Sequence, residues 1–350
     1  MLEIVIEQAR FRRDDNGQPF LAARSPGLLD EWLPPLERLV VGFGIRVSGI
    51  ACPAAVFAQP LGAAHVAIVQ VADGAEARSL AYQALVCPRA DYERFLGDPF
   101  LLAERFPAVW TETGPLGPLT LPRQPLPPPT IDQVQAILRR VKAGALQDNE
   151  DPEHPAFERT AENSESPGLL GGIQVLVDGG KLVFERTRPD PDLVAGLWTL
   201  LPQSTRAHLW PASFAFGNAL GFDVVVVPRL HVADFEGYTS EGQAADYPAG
   251  QYEVALQVAA ETGNQRDLDN LLKRRSGSET FKLGWTLLVV IIVLVLAPSV
   301  LKLWQPTPAP LDSEHEAAAA AGMVGSGNPW TVLGIRLVGH EIWGPARKTD

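Results

Sequence analysis

The sequence predicts an α+β fold: a soluble domain of hairpins and short helices, followed by a single transmembrane helix. Three observations carry that expectation. Strand-like runs come in pairs with turn-sized connections, the helical stretches between them are short, and one uncharged apolar run near the C-terminus is long enough to span a bilayer. Repeated crossover helices, which a doubly wound sheet needs, do not stand out.

Residues 3–11 and 19–24 alternate apolar and polar side chains around Asp15-Asn16-Gly17, whose turn chemistry suits a hairpin. Ser25 then reads as a helix cap with Pro26 in the first turn, and Pro34-Pro35 as an interruption or restart. HVAIVQVAD (65–73) and LAYQALVCP (80–88) form the clearest strand pair, and residues 91–106 offer two short helices. The proline density of 111–129 removes backbone donors and favours extended chain, hence a linker. A helix capped by Thr130 follows, with Leu138 on its apolar stripe, and then an acidic, turn-rich loop over 147–168. GGIQVLVDGGKLVFER reads as a hairpin turned at Asp178-Gly179-Gly180, DLVAGLWTLL as a helix, and Phe222–Val227 as a buried strand. Residues 234–251 read as loop, and the stretch from Tyr252 to Arg275 as helix broken near Gly263.

These elements divide the chain into an α+β lobe (1–110), the linker (111–129) and a second α+β lobe (130–272). A basic juxtamembrane segment (273–282), a transmembrane helix (283–303) and a short tail (304–350) complete it. LGWTLLVVIIVLVLAPSVL, between Lys282 and Lys302, holds no charge, and as a helix it covers roughly 28 Å. Trp285 and Trp304 stand near its ends, where interfacial aromatics belong. Lys273, Arg274, Arg275 and Lys282 precede it, so the positive-inside bias makes the N-terminal domain cytoplasmic and the protein single-pass. The N-terminus lacks the pattern of a signal peptide.

The 350 residues carry a formal charge of −12, and no basic cluster in the folded part suggests nucleic-acid binding. The two cysteines, Cys52 and Cys87, are expected as buried thiols rather than a disulfide framework. No phosphate-binding GxxxxGK[ST] loop and no HExxH occurs, and the six histidines form no metal-ligand pattern, so neither cofactor nor metal is expected. Cys52 with His65 could only make a nucleophile–base pair by chance, since no orienting acid accompanies them.

Ile6-Glu7-Gln8, Ala23-Arg24-Ser25-Pro26-Gly27-Leu28 and the segment LLPQSTRAHLWPASFAFGNALGFDVVVVPR (200–229) resemble the bacterial GTPase-associated protein 1 N-terminal domain family. The resemblance covers about residues 1–230. It implies an adaptor or regulator whose protein partner is a GTPase or another signalling component, with no catalytic activity attached. The chain departs from the larger relatives in having an apolar segment and short tail where they continue with soluble regions. Glu7, Gln8, Arg24, Ser25 and Arg206 are the candidate interaction or structural residues, with Arg229 treated alike. Glu7 and Arg24 could meet across the first hairpin, as a structural ion pair beside a serine cap or as a ligand or partner surface. The expected role is a membrane-anchored adaptor with protein and lipid-bilayer partners. The alternative is an enzyme with an unfamiliar site acting at the membrane.

Overall fold

The computed structural model describes residues 3–13, 18–74, 79–108, 110, 114–122, 127–147 and 168–273, together with 288 and 292. The chain opens with strands β1 (Glu3–Arg13) and β2 (Pro19–Arg24) and helix α1 (Leu33–Gly42). Strands β3 (Ala55–Leu61), β4 (His65–Asp73) and β5 (Leu80–Pro88) follow, then helices α2 (Arg89–Arg94) and α3 (Pro99–Arg105) and strand β6 (Leu119–Pro122). Next come α4 (Ile131–Gln147), α5 (Leu169–Val177), β7 (Lys181–Glu185), α6 (Pro191–Leu200), α7 (Gln203–Arg206), β8 (Pro211–Ala212) and β9 (Val224–Val227). Strand β10 (Tyr238–Ser240) and helices α8 (Glu241–Ala245), α9 (Gln251–Thr262) and α10 (Gln265–Leu272) complete the described body.

Ten strands form one mixed sheet in the order β10-β7-β9-β8-β3-β4-β5-β1-β2, with β6 paired to β1 beside that path. The expectation of a domain built from hairpins is thereby corrected. From β3 to β2 every pairing is antiparallel, but β10–β7, β7–β9 and β9–β8 are parallel. Parallel strands need crossover connections, and α6 and α7 lie in the one that leads from β7 to β8, the two strands that flank β9. The junction is β8, which pairs antiparallel with β3 at Phe57 and Ala212. The sheet thus runs without a break between strands that precede and strands that follow residues 111–129.

Strand alternation supplies two cores. Ala67, Val69 and Val71 of β4 face the larger one with Phe57, Tyr82, Phe184 and Trp198, beneath α1, α5, α6 and α9. Val66 and Ile68 face the smaller one with Ile6, Leu85, Tyr92, Phe95 and Leu102, covered by α2 and α3. Such period-two placement follows from the strand geometry.

Local chemistry sets several element ends. Pro34 and Pro35 sit in the first turn of α1, where backbone N–H groups lack helical partners, so they open the helix rather than break it. Asp98 caps α3 by accepting from the backbone N–H groups of Phe100 and Leu101 at 2.9 and 3.2 Å. Gly263, in the left-handed conformation, ends α9 where the sequence places the break. The expected hairpin at 171–186 is instead helix α5 joined to β7. Its Asp178-Gly179-Gly180 turn is real, with Gly180 N–H bonded to Val175 O at 2.8 Å, but it closes a helix. Residues 234–251, expected as loop, hold β10 and α8, the latter with a Ser240–Gln243 capping box.

The single-pass membrane assignment, with its cytoplasmic N-terminal domain, is corrected as well. No helix among the described residues is long and apolar enough to cross a membrane. The longest, α4, has 17 residues and carries Asp132, Arg139 and Arg140, whereas a span needs about 20 predominantly apolar ones. Of residues 283–303 only Leu288 and Ile292 are described. The acidic loop after Gln147, the basic segment beyond Lys273 and the tail from 304 likewise lie outside the described residues.

Candidate functional site

Three of the singled-out residues, Glu7, Gln8 and Ser25, meet at the first hairpin. Ser25 continues the β1–β2 pairing with its own side chain: its backbone N–H donates to Gln8 O, and Gln8 N–H donates to Ser25 Oγ, both at 2.9 Å. The Ser25 hydroxyl in turn donates to the Glu7 carboxylate. Gly27 leaves the room this requires, since a Cβ there would lie 2.1 Å from Glu7 Oε1. Gln8 Nε2 donates to Gly117 O at 2.6 Å, while its Oε1 accepts from Gln83 Nε2 at 2.9 Å. Arg24 turns away from Glu7 and pairs with Asp30, an exposed contact of small energetic weight. Ser25 is therefore a bridge between strands rather than a helix cap. The group is bonded to itself and ties residues 7, 8, 25, 83 and 117 together.

Arg206 is placed differently. It ends α7, a four-residue helix that starts after Pro202, and only 1 % of its surface is accessible. The groups around it are committed elsewhere. Tyr92 donates to Gly97 O at 2.9 Å, Tyr252 donates to Leu200 O at 2.7 Å, and Asp98 accepts the two N–H groups of α3. The Arg206 side chain makes no hydrogen bond or ion pair of its own among the described residues, and its buried Nε is unmatched. Burial lowers its pKa, while the charge of Asp98 opposes that shift. Burial likewise raises the pKa of Asp98, and Arg206 opposes it.

Arg206 lines a cleft of about 550 Å³. Glu93 and Arg94 of α2, Gln203 of α7 and Asp269 of α10 contribute polar wall, with Lys273 just beyond α10. Leu96, Leu272, Pro128 and Pro129 supply apolar wall. Leu96 is the non-glycine residue with a left-handed backbone, φ 62°, among those described. That conformation is strained for a γ-branched side chain and is held by the turn Phe95–Asp98, whose Gly97 O also accepts from Trp198 Nε1 at 2.9 Å. Gly97 fits because α7 passes so near that a Cβ would lie 3.0 Å from Ala207 N. Arg206 was singled out by its place in a motif, but Leu96, Arg94 and Lys273 carried no local signal, because residues more than a hundred positions apart form the cleft.

The remaining chemical groups do not converge. Cys52 and Cys87 are free and buried, and burial pushes each thiol up to about 12. A nearby Asp73 adds to the shift at Cys52, and its carboxylate accepts from Cys52 N–H at 3.1 Å. His65 packs on Trp32, ring centroids 4.5 Å apart. Among the described residues no cluster of His, Cys, Asp and Glu could hold a metal ion. Arg229, beyond β9, is exposed.

Comparison with family models, curated proteins and solved structures finds no match to this chain.

Proposed function

We propose that the chain is a protein-binding adaptor or regulatory module whose partner is a GTPase or signalling component of a bacterial system. The observation that supports an adaptor is the outer edge of β2. This strand ends the sheet, and beyond it no described strand pairs. Sheet edges expose unsatisfied N–H and C=O groups, and proteins that do not use them usually guard them with charge or cover. Here the outward positions of β2 are Phe20, Ala22 and Arg24, with Phe20 46 % exposed.

Phe20 pairs with Arg12 and so faces away from the core that Phe11, Leu21 and α1 share, but further apolar side chains are exposed on the α1 side of the hairpin. Arg13, paired with Pro19 at the start of β2, donates to Gly44 O at 2.7 Å and Val41 O at 3.0 Å. It also bonds the carbonyl of Val40. This fastens the end of α1 and the following loop beside the hairpin, and there Val41 is 53 % and Ile45 83 % exposed. An extended segment of a partner could add to the β2 edge through backbone bonds while its side chains meet Phe20, Val41 and Ile45. The GTPase identity of that partner rests on the family resemblance.

Crosslinking mass spectrometry in intact cells tests the reading. With a photocrosslinking amino acid placed at position 22 or 41, crosslinks should join a protein with a GTP-binding domain. The Phe20→Asp/Ile45→Asp double variant should lose them by about tenfold while retaining its fold, each position contributing roughly 1 kcal/mol or less. Partners that crosslink elsewhere, or that are indifferent to the double variant, would refute it.

A further inference from the structure

A second feature stands apart from the β2 edge. Arg206 carries a positive charge, is almost wholly buried, and its Nε finds no acceptor. Removing a guanidinium from water without giving it a hydrogen-bond partner is unfavourable. The neighbouring carboxylate, Asp98, makes no ion pair with it and spends its bonds on the N-terminus of α3. Arg206 nonetheless lines an open cleft rather than a closed core.

The rest of the cleft indicates what would answer it. Three cations, Arg206, Arg94 and Lys273, stand against two carboxylates, Glu93 and Asp269. Lys273 is exposed and makes no ion pair among the described residues, whereas Arg94 is held by Asp91 at 3.0 Å. Both carboxylates are partly engaged, Glu93 near Arg89 at 3.6 Å and Asp269 accepting from Gln265 at 2.7 Å. A dianionic group with three acceptor oxygens can meet the guanidinium fork and the lysine together, which a single carboxylate cannot do as well. The 550 Å³ cleft falls within the roughly 300–1,000 Å³ typical of small-molecule sites and far exceeds a lone phosphate. Leu96, Leu272, Pro128 and Pro129 form the apolar surface on which a ring or chain would rest.

We propose that this cleft binds a small phosphomonoester, with Arg206 holding the phosphoryl oxygens, Lys273 completing the charge at the mouth, and the apolar wall receiving the organic part.

The test is titration calorimetry on the full chain at low ionic strength with three probes: inorganic phosphate, phenyl phosphate and benzoate. Phenyl phosphate is expected to bind tightest, inorganic phosphate more weakly and benzoate weakest, with affinity falling as salt is raised. Arg206→Gln should weaken phenyl phosphate by at least about thirtyfold, as for truncation of a buried hydrogen-bonded charge. Lys273→Ala, at an exposed position, should weaken it about threefold. Should Arg206→Gln fail to fold, the Lys273→Ala effect and a phosphorus NMR shift of bound phenyl phosphate decide the matter. The proposal is overturned if neither phosphate probe binds at about 10 mM, a concentration that detects even very weak sites. It is equally overturned if benzoate binds tighter than phenyl phosphate, or if binding is the same in wild type and both variants. The β2 edge lies elsewhere on the chain, so either result leaves the partner-binding reading to its own experiment.

Discussion

At the scale of single residues, burial decides the chemistry of the two thiols. Cys52 and Cys87 are 0 % exposed, and the folded protein raises each from 9.0 to about 12. The raised folded-state value means that the contribution to stability is fully present below the unfolded-state pKa. It is lost as pH rises through the folded one. Between about pH 9 and 12 each thiol should therefore lower the unfolding free energy by about 1.4 kcal/mol per pH unit. Urea unfolding of Cys87→Ala across this range should show a shallower alkaline decline than wild type, and equal slopes would contradict the assignment. A sequence can announce that a cysteine prefers burial, and here that expectation holds for both. It announces side-chain partners less well. Glu7 and Arg24 have opposite charges on adjoining strands, yet Arg24 sits opposite Ala9 and reaches Asp30, while the neutral Ser25 takes Glu7. Local charge signs do not encode which acceptor a long side chain can reach once register is fixed.

Elements with strong internal periodicity were legible, and those shaped by a neighbour were not. Strands β4 and β5 occupy the expected spans, α6 covers most of the DLVAGLWTLL segment expected as helix, and the break between α9 and α10 falls where Gly263 signals it. In contrast, α5 has the apolar, β-branched composition of a buried strand, which periodicity alone cannot tell from a buried helix. Packing settles it. The missing side chain at Gly171 lets α5 press onto α8, where a Cβ would stand 1.8 Å from Ala244 O. Gln174 adds a bond to Glu253 N–H of α9 at 3.2 Å. Gly171→Ala should therefore destabilise the protein by about 1–3 kcal/mol or more, because the obstacle is backbone that cannot swing aside. Gly242→Ala, inside α8 with nothing within 4 Å, should instead be neutral or stabilise by up to about 1 kcal/mol. Thermal melts of the two variants separate these cases, and similar losses in both would mean that the α5–α8 contact does not limit stability. Strand β3 escaped notice because Pro60 lies within it, tolerated near the strand end opposite Val66.

On the scale of the whole molecule, the decisive pairing joins Phe57 to Ala212, and a single sequence has no local mark for such a match. Two strands, β8 and β10, have two and three residues and could not be read from periodicity at all. The shared sheet predicts that strands before and after residues 111–129 lose structure together. Urea unfolding followed by tryptophan fluorescence and by far-ultraviolet circular dichroism should give coincident midpoints. Two separated transitions, with one assigned to residues 1–110 by hydrogen exchange, would show that the halves are independent despite their common sheet.

The β3–β8 junction also bears on how the chain is made. Val56 N–H finds its acceptor, Ser213 Oγ, 157 positions later. At the pace of synthesis, about 5–20 residues per second, roughly 8–30 s separate the emergence of the two. Throughout that interval a nascent chain holds an antiparallel meander with its inner edge bare. Neighbouring ribosomes on one messenger display the same edge, so the hazard is mutual capture between unfinished copies, and the yield of folded protein becomes a matter of translation speed and ribosome spacing as well as of final stability.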